Sequence, residues 1–91
     1  MSLLAVSIEV RGKVQGVWYR ASSKAEADRL SLVGFVRNQT DSSVYIEVCG
    51  ESTEIDQFIC WCLKGPEHSQ VTELKIIKID IFSSEKFENI R

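Results

Sequence analysis

Residues 4–10 set the first constraint on the fold. Leu4, Val6, Ile8 and Val10 alternate with Ala5, Ser7 and Glu9, and a period of two sends the four larger apolar side chains to one face of a strand. A strand with one apolar face belongs to a sheet that is covered on that side by another layer. With 91 residues the chain has room for one such core and no second module. Residues 1–91 are therefore expected to form a single domain.

The strand runs into Gly12-Lys13-Val14-Gln15-Gly16. Two glycines flanking three residues predict a loop with unusual backbone angles or close ligand approach. A helix follows over about 17–32. Its buried face is ambiguous, because Val17, Ala21, Ala25 and Leu32 form one stripe and Tyr19, Ser23, Ala27 and Leu30 another. Gly34 punctuates. Residues 35–39 predict a short strand, Thr40-Asp41-Ser42-Ser43 a turn, and residues 44–48 a second alternating strand, which makes a hairpin.

The second helix is better defined. Ser52 or Thr53 can cap it, Ile55, Phe58, Ile59 and Cys62 follow helical spacing, and Gly65-Pro66 ends it. Residues 71–82 are rich in β-branched side chains and predict one long strand with Ile77, Ile79 and Ile81 on one face. Residues 86–90 predict a short edge strand.

The order β-α-β-β-α-β is that of an α+β, ferredoxin-like (split βαβ) sandwich: an antiparallel sheet with two helices on one face. A right-handed first crossover leaves strands one and two parallel, with a third strand between them. Their C-terminal ends share one end of the sheet, so the 12–16 loop and Asn38 are expected to converge.

Composition narrows the partners. Hydrophobic residues make up 44%, charged residues 26%, and the formal net charge is −2 at a pI near 5.4. No global positive field draws the chain to nucleic acid or a membrane surface. A small-molecule ligand and a monomer are expected. No apolar run approaches the ~20 residues needed to span a bilayer, and the N-terminus lacks a basic region before its apolar stretch, so the cytoplasm is the expected compartment.

Cys49, Cys60 and Cys62 are an odd set that reads as reduced thiols. Residues two apart on a helix point about 200° from each other, so Cys60 and Cys62 do not form a metal pair. Cys62 is expected in the core, Cys60 at the surface and Cys49 in strand packing. No metal and no cofactor is expected. His68 reads as a solvated loop residue.

A Gly-containing loop that opens a helix can turn successive N–H groups inward around an anion, reinforced by the helix dipole. Arg20 falls in the first helical turn, and its planar fork suits a phosphate or carboxylate. Val10-Arg11-Gly12-Lys13-Val14-Gln15-Gly16-Val17-Trp18-Tyr19-Arg20 resembles the first signature of the acylphosphatases. Gly34-Phe35-Val36-Arg37-Asn38, with Val44 and Gly50, resembles the second. The similarity continues through Ala27, Leu30 and Leu32, then Phe58, Trp61, Gly65-Pro66 and Val71. It covers nearly the whole chain.

The resemblance implies the same sandwich and favours the Tyr19, Ser23, Ala27, Leu30 stripe as core. It implies hydrolysis of acyl phosphates to carboxylate and inorganic phosphate. Arg20 and the backbone amides of Gln15, Gly16, Val17, Trp18, Tyr19 and Arg20 would hold the phosphate, and Asn38 would orient the attacking water. An acyl phosphate is already activated, so positioning and charge stabilisation suffice and no covalent nucleophile is required.

Three positions depart from the family pattern. Ser42 and Ser31 stand where Gly is usual, and Tyr19 stands where Phe is usual, so its hydroxyl needs a partner. Trp18 is open to two readings: an apolar wall for the acyl group, or a partly exposed aromatic at a helix start. Arg11, Lys13 and Arg37 flank the expected pocket, either steering an anion toward it or merely solvated. Residues 74–82 are an aggregation hazard, with Lys75, Lys78 and Asp80 as gatekeepers. Two rival functions are a non-catalytic module that binds phosphate or carbamoyl phosphate, and a nucleic-acid- or metal-binding ferredoxin-like domain. The acidic pI and the absence of a C-x-x-C loop oppose the second.

Overall fold

The computed structural model describes residues 2–91. Strand β1 spans Leu3–Lys13, helix α1 Tyr19–Arg29, β2 Val33–Asn38, β3 Val44–Glu51, helix α2 Ser52–Lys64, β4 Gln70–Lys78 and β5 Phe87–Ile90. The sheet order is β4-β1-β3-β2-β5. Because β3 pairs antiparallel with both β1 and β2, β1 and β2 run parallel with β3 between them, as the crossover argument requires.

Alternation decides the layers. Val6, Ile8 and Val10 of β1 and Val44, Ile46 and Val48 of β3 are buried, together with Val36 of β2. Helix α1 covers β2 and β5, and α2 covers β4, β1 and β3. From α1 the buried residues are Tyr19, Ser23 and Ala27, so the ambiguous helix uses the stripe the resemblance favoured. From α2 they are Ile55, Phe58 and Cys62. Burying a side chain the size of Phe58 contributes roughly 1.5–3 kcal/mol.

Helix α1 is shorter than expected at both ends. Trp18 adopts φ 67° and is the N-cap, so the helix begins at Tyr19. At the other end the Leu32 amide donates to the Ala27 carbonyl and the Ser31 amide to that of Asp28, with Ser31 at φ 59°. This is a Schellman closure whose left-handed position, usually Gly, is held by Ser31. The side-chain cap expected for α2 is not made. Glu51 is the N-cap without a side-chain bond, and the Ser52 amide donates to the Ser2 carbonyl instead.

The last third differs most from its sequence reading. The strand expected over 71–82 ends at Lys78, one residue before the Ile79 amide donates to the Ala5 carbonyl. The chain must leave the ladder there, because β4 lies at one edge of the sheet and β5 at the other. Residues 79–86 span four inter-strand spacings, about 19 Å. Strand β5 then pairs parallel with β2, adding a parallel edge to the four antiparallel strands. Phe87 is fully buried against Phe58. Ile76 and Ile77 remain exposed on edge strand β4.

Gly12 belongs to β1 rather than to a loop. At the bulge between Arg11 and Gly12 the neighbouring strand comes so close that a Cβ would collide with the Gln70 carbonyl oxygen. The connection to α1 is therefore residues 14–18, later than the 12–16 loop expected from the glycines.

Candidate active site

The first intrahelical bond of α1 runs from the Ser22 amide to the Trp18 carbonyl. The amides of the preceding turn have no carbonyl of their own helix to meet and carry its positive dipole end. Gly16, at φ 74° with open space where a Cβ would stand, supplies the backbone angle that turns the loop into this position. Trp18 holds a left-handed conformation without being glycine, which costs about 1–2 kcal/mol. The residue is 77% exposed.

These residues line a cavity of about 380 Å³. Val14, Gly16, Trp18, Tyr19, Arg20 and Ala21 come from the loop and first turn, and Asn38 from the end of β2. Asn89 of β5 and Arg91 complete it. Arg20 Nη1 donates to the Ile90 carbonyl at 2.8 Å. One donor of the guanidinium is thus fixed by the C-terminal strand, and the rest of the fork is left for a ligand.

Tyr19 finds the partner its hydroxyl needs: it donates to the Cys62 carbonyl at 2.7 Å, and its ring packs on Trp61. Burial holds the phenol far above its ordinary value. The Cys62 thiol is likewise pushed up to about 12 by burial. Neither group exchanges a proton near neutral pH. Cys49 is buried and Cys60 exposed, and all three thiols are free. His68 is exposed in its loop. Among the described residues no three His, Cys, Asp or Glu side chains gather as a metal site.

Two residues of the expected phosphate loop do not line the cavity. The Val17 side chain is buried in the core. The Gln15 side chain turns to the hairpin, its Nε2 donating to the Gln39 carbonyl at 2.9 Å and the Ser43 carbonyl at 2.8 Å. The flanking cations are also placed elsewhere. Arg11 bonds Glu9 and Asp41, and Arg37 lies over the rings of Phe35 and Tyr45. Lys13 is exposed and outside the cavity lining. Hydrogen bonds from the Ser43 hydroxyl and amide, then from Arg11, hold the Asp41 carboxyl below its ordinary value.

Asn89 and Arg91 escaped the sequence reading. The alternation of Phe87 and Asn89 marks a strand, but only the pairing of Asn89 with Val36 of β2 carries it to this end of the sheet.

Comparison with known proteins decides the family. The acylphosphatase family profile matches residues 6–89. The chain belongs to the acylphosphatase family. The family's reaction is the hydrolysis of acyl phosphates. An acylphosphatase from Aeropyrum pernix is 49% identical over 76 residues, covering 82% of this chain and 75% of that protein. The crystal structure of the acylphosphatase from Bacillus subtilis superposes with a TM-score of 0.94 at 28% identity, covering 99% of this chain and all of that one. A full-length HypF structure, in a phosphate- and nucleotide-bound form, matches at TM-score 0.88 and 28% identity, covering 99% of this chain but 12% of its own length. Among residues 2–91, no helix is long and apolar enough to cross a membrane.

Proposed function

We infer that the cavity at the start of α1 hydrolyses small acyl phosphates, with Arg20 and the loop and first-turn amides holding the phosphate and Asn38 orienting the attacking water. The observation that carries this reading is the meeting of Arg20 and the open helix N-terminus with Asn38 in one cavity. Phosphate oxygens accept from the fork and the amides, and the same donors stabilise charge that builds up in the transition state.

Asn38 is an amide and does not take a proton at neutral pH. Its carbonyl accepts from the water and its NH₂ donates to it, which fixes the water for attack. The water oxygen forms its bond to phosphorus as the bond to the acyl oxygen breaks, and the acyl group leaves as carboxylate. A substrate phosphate oxygen takes the water proton, since the residues assigned to the site include no His, Asp or Glu. Trp18, Asn89 and Arg91 face the remaining volume and would contact the acyl group. We place the chain in the cytoplasm as a single-domain monomer without nucleic-acid partners, a reading supported by its acidic pI and free thiols.

The similarity to a short part of HypF favours one second reading, a module that holds phosphate or carbamoyl phosphate without turnover. Benzoyl phosphate hydrolysis with and without EDTA separates the two. The enzyme is expected to turn over equally in both, with Asn38→Ala lowering kcat on the order of 10²–10³. Binding of phosphate without hydrolysis by the wild type would establish the module. Undiminished kcat in Asn38→Ala would remove Asn38 from its assigned role.

A further inference from the structure

The bonds made by the Gln15 side chain are more than the hairpin needs to close. The Ser43 carbonyl already accepts the Gln39 amide at 2.8 Å, and the Gln39 carbonyl already accepts the Ser42 amide at 3.2 Å. Each oxygen therefore has a backbone donor without Gln15. The additional donor comes from a half-buried side chain of the phosphate loop, 24 and 28 residues away in sequence.

One of the gripped carbonyls belongs to the residue directly after Asn38. The turn is itself braced. Gln39 Nε2 donates to the Ser43 hydroxyl at 2.7 Å and to Glu9 at 3.3 Å, and the Asp41 carboxylate accepts from the Ser43 amide and from Arg11. The hairpin end is thus cross-braced, and the Gln15 side chain bonds it to the loop that opens α1.

We propose that Gln15 is a positioning residue: its amide ties the phosphate loop to the β2–β3 hairpin and so sets where Asn38 holds the attacking water relative to the bound phosphate. The proposal rests on the role given to Asn38 above. It assigns the Gln15 side chain a task separate from that of its backbone amide, which any residue at the position would supply. In-line attack is sensitive to distance, and a misplacement of 1 Å costs up to about 10²-fold. Loss of the tie should therefore appear in kcat, while phosphate binding at Arg20 and the first-turn amides is kept.

The test is a double-mutant cycle on benzoyl phosphate with inorganic phosphate as competitive inhibitor. Gln15→Met should lower kcat about tenfold with the inhibition constant for phosphate unchanged within about twofold. In the Asn38→Ala background the same substitution should cost no further kcat, because no positioned water remains to be lost. Gln15→Leu removes the donor without adding charge beside the phosphate, and carries the same cycle if the methionine variant fails to fold. An equal kcat loss in both backgrounds, no kcat loss in either, or a weakened phosphate affinity would overturn the proposal while leaving Asn38 in place. A normal kcat in Asn38→Ala alone would overturn the Asn38 assignment and this proposal with it.

Discussion

Replacing Arg20 with lysine isolates the contribution of the guanidinium fork. The wild-type side chain does two jobs at once: Nη1 is bonded to the Ile90 carbonyl, and the other donors are free to meet a phosphate. Lysine keeps the charge but offers one compact ammonium on a flexible stem, which cannot hold the strand carbonyl and span two phosphate oxygens. One charge-assisted hydrogen bond is lost, worth about 1.5–3 kcal/mol. At about 1.4 kcal/mol per tenfold, kcat/KM should fall roughly 10- to 150-fold. Arg20→Ala removes the charge as well, so it should lower kcat on the order of 10²–10³ and raise KM. Initial rates of benzoyl phosphate hydrolysis over a range of substrate concentration, with inorganic phosphate inhibition measured in parallel, give both parameters. Arg20→Lys within twofold of wild type in kcat/KM would refute the argument, because a single ammonium would then serve the phosphate as well as the guanidinium fork.

Two further predictions concern the hairpin and the pH dependence of stability. Ser42 holds φ 75° in the exposed turn. Ser42→Gly relieves about 1–2 kcal/mol of left-handed strain against about 0.4–1 kcal/mol of added unfolded-state freedom. Thermal unfolding should show a gain of about 0.5–1 kcal/mol, or roughly 2–8 °C in Tm, and a fall in Tm would contradict the strain argument. The Asp41 carboxyl is held below its ordinary 3.8 by Ser43 and Arg11, so the stability it contributes is complete above that value and is lost as pH falls through the lower folded-state value. Urea midpoints of wild type and Asp41→Asn should therefore differ by a constant amount above about pH 5 and converge below about pH 4. A gap that widens on acidification would reverse the sign of this linkage.

Residues 4–10 and 44–48 were legible in sequence because their larger apolar side chains recur with a period of two and pack on one face, although Ala5 and Ser7 on the other face of β1 are buried as well. Helix α2 was legible for the same reason at helical period. Helix α1 was not. Both of its stripes carry small or apolar residues, and Tyr19 is buried only because α2 offers the Cys62 carbonyl and Trp61 ring to receive it. The meeting of Arg20 and Asn38 in one cavity was legible, because Arg20 falls in the first turn after a glycine-bearing loop and the right-handed crossover brings the end of β2 to the same end of the sheet. Asn89 and Arg91 were not, because no local pattern states which edge of the sheet a four-residue strand will join.

The amino-acid sequence by itself determined the element order, the core-facing residues of β1 and β3, and the glycine-bearing turn with Arg20 that opens α1. These are properties of short segments, read from periodicity and residue chemistry. Tertiary structure alone decided that β5 lies parallel to β2, that the strand after α2 stops at Lys78, that Arg20 is held by the Ile90 carbonyl, and that Gln15 serves the hairpin with its side chain. Each of these depends on contacts between residues far apart in the chain. Their partners are backbone groups, which every residue carries and which leave no trace in the sequence.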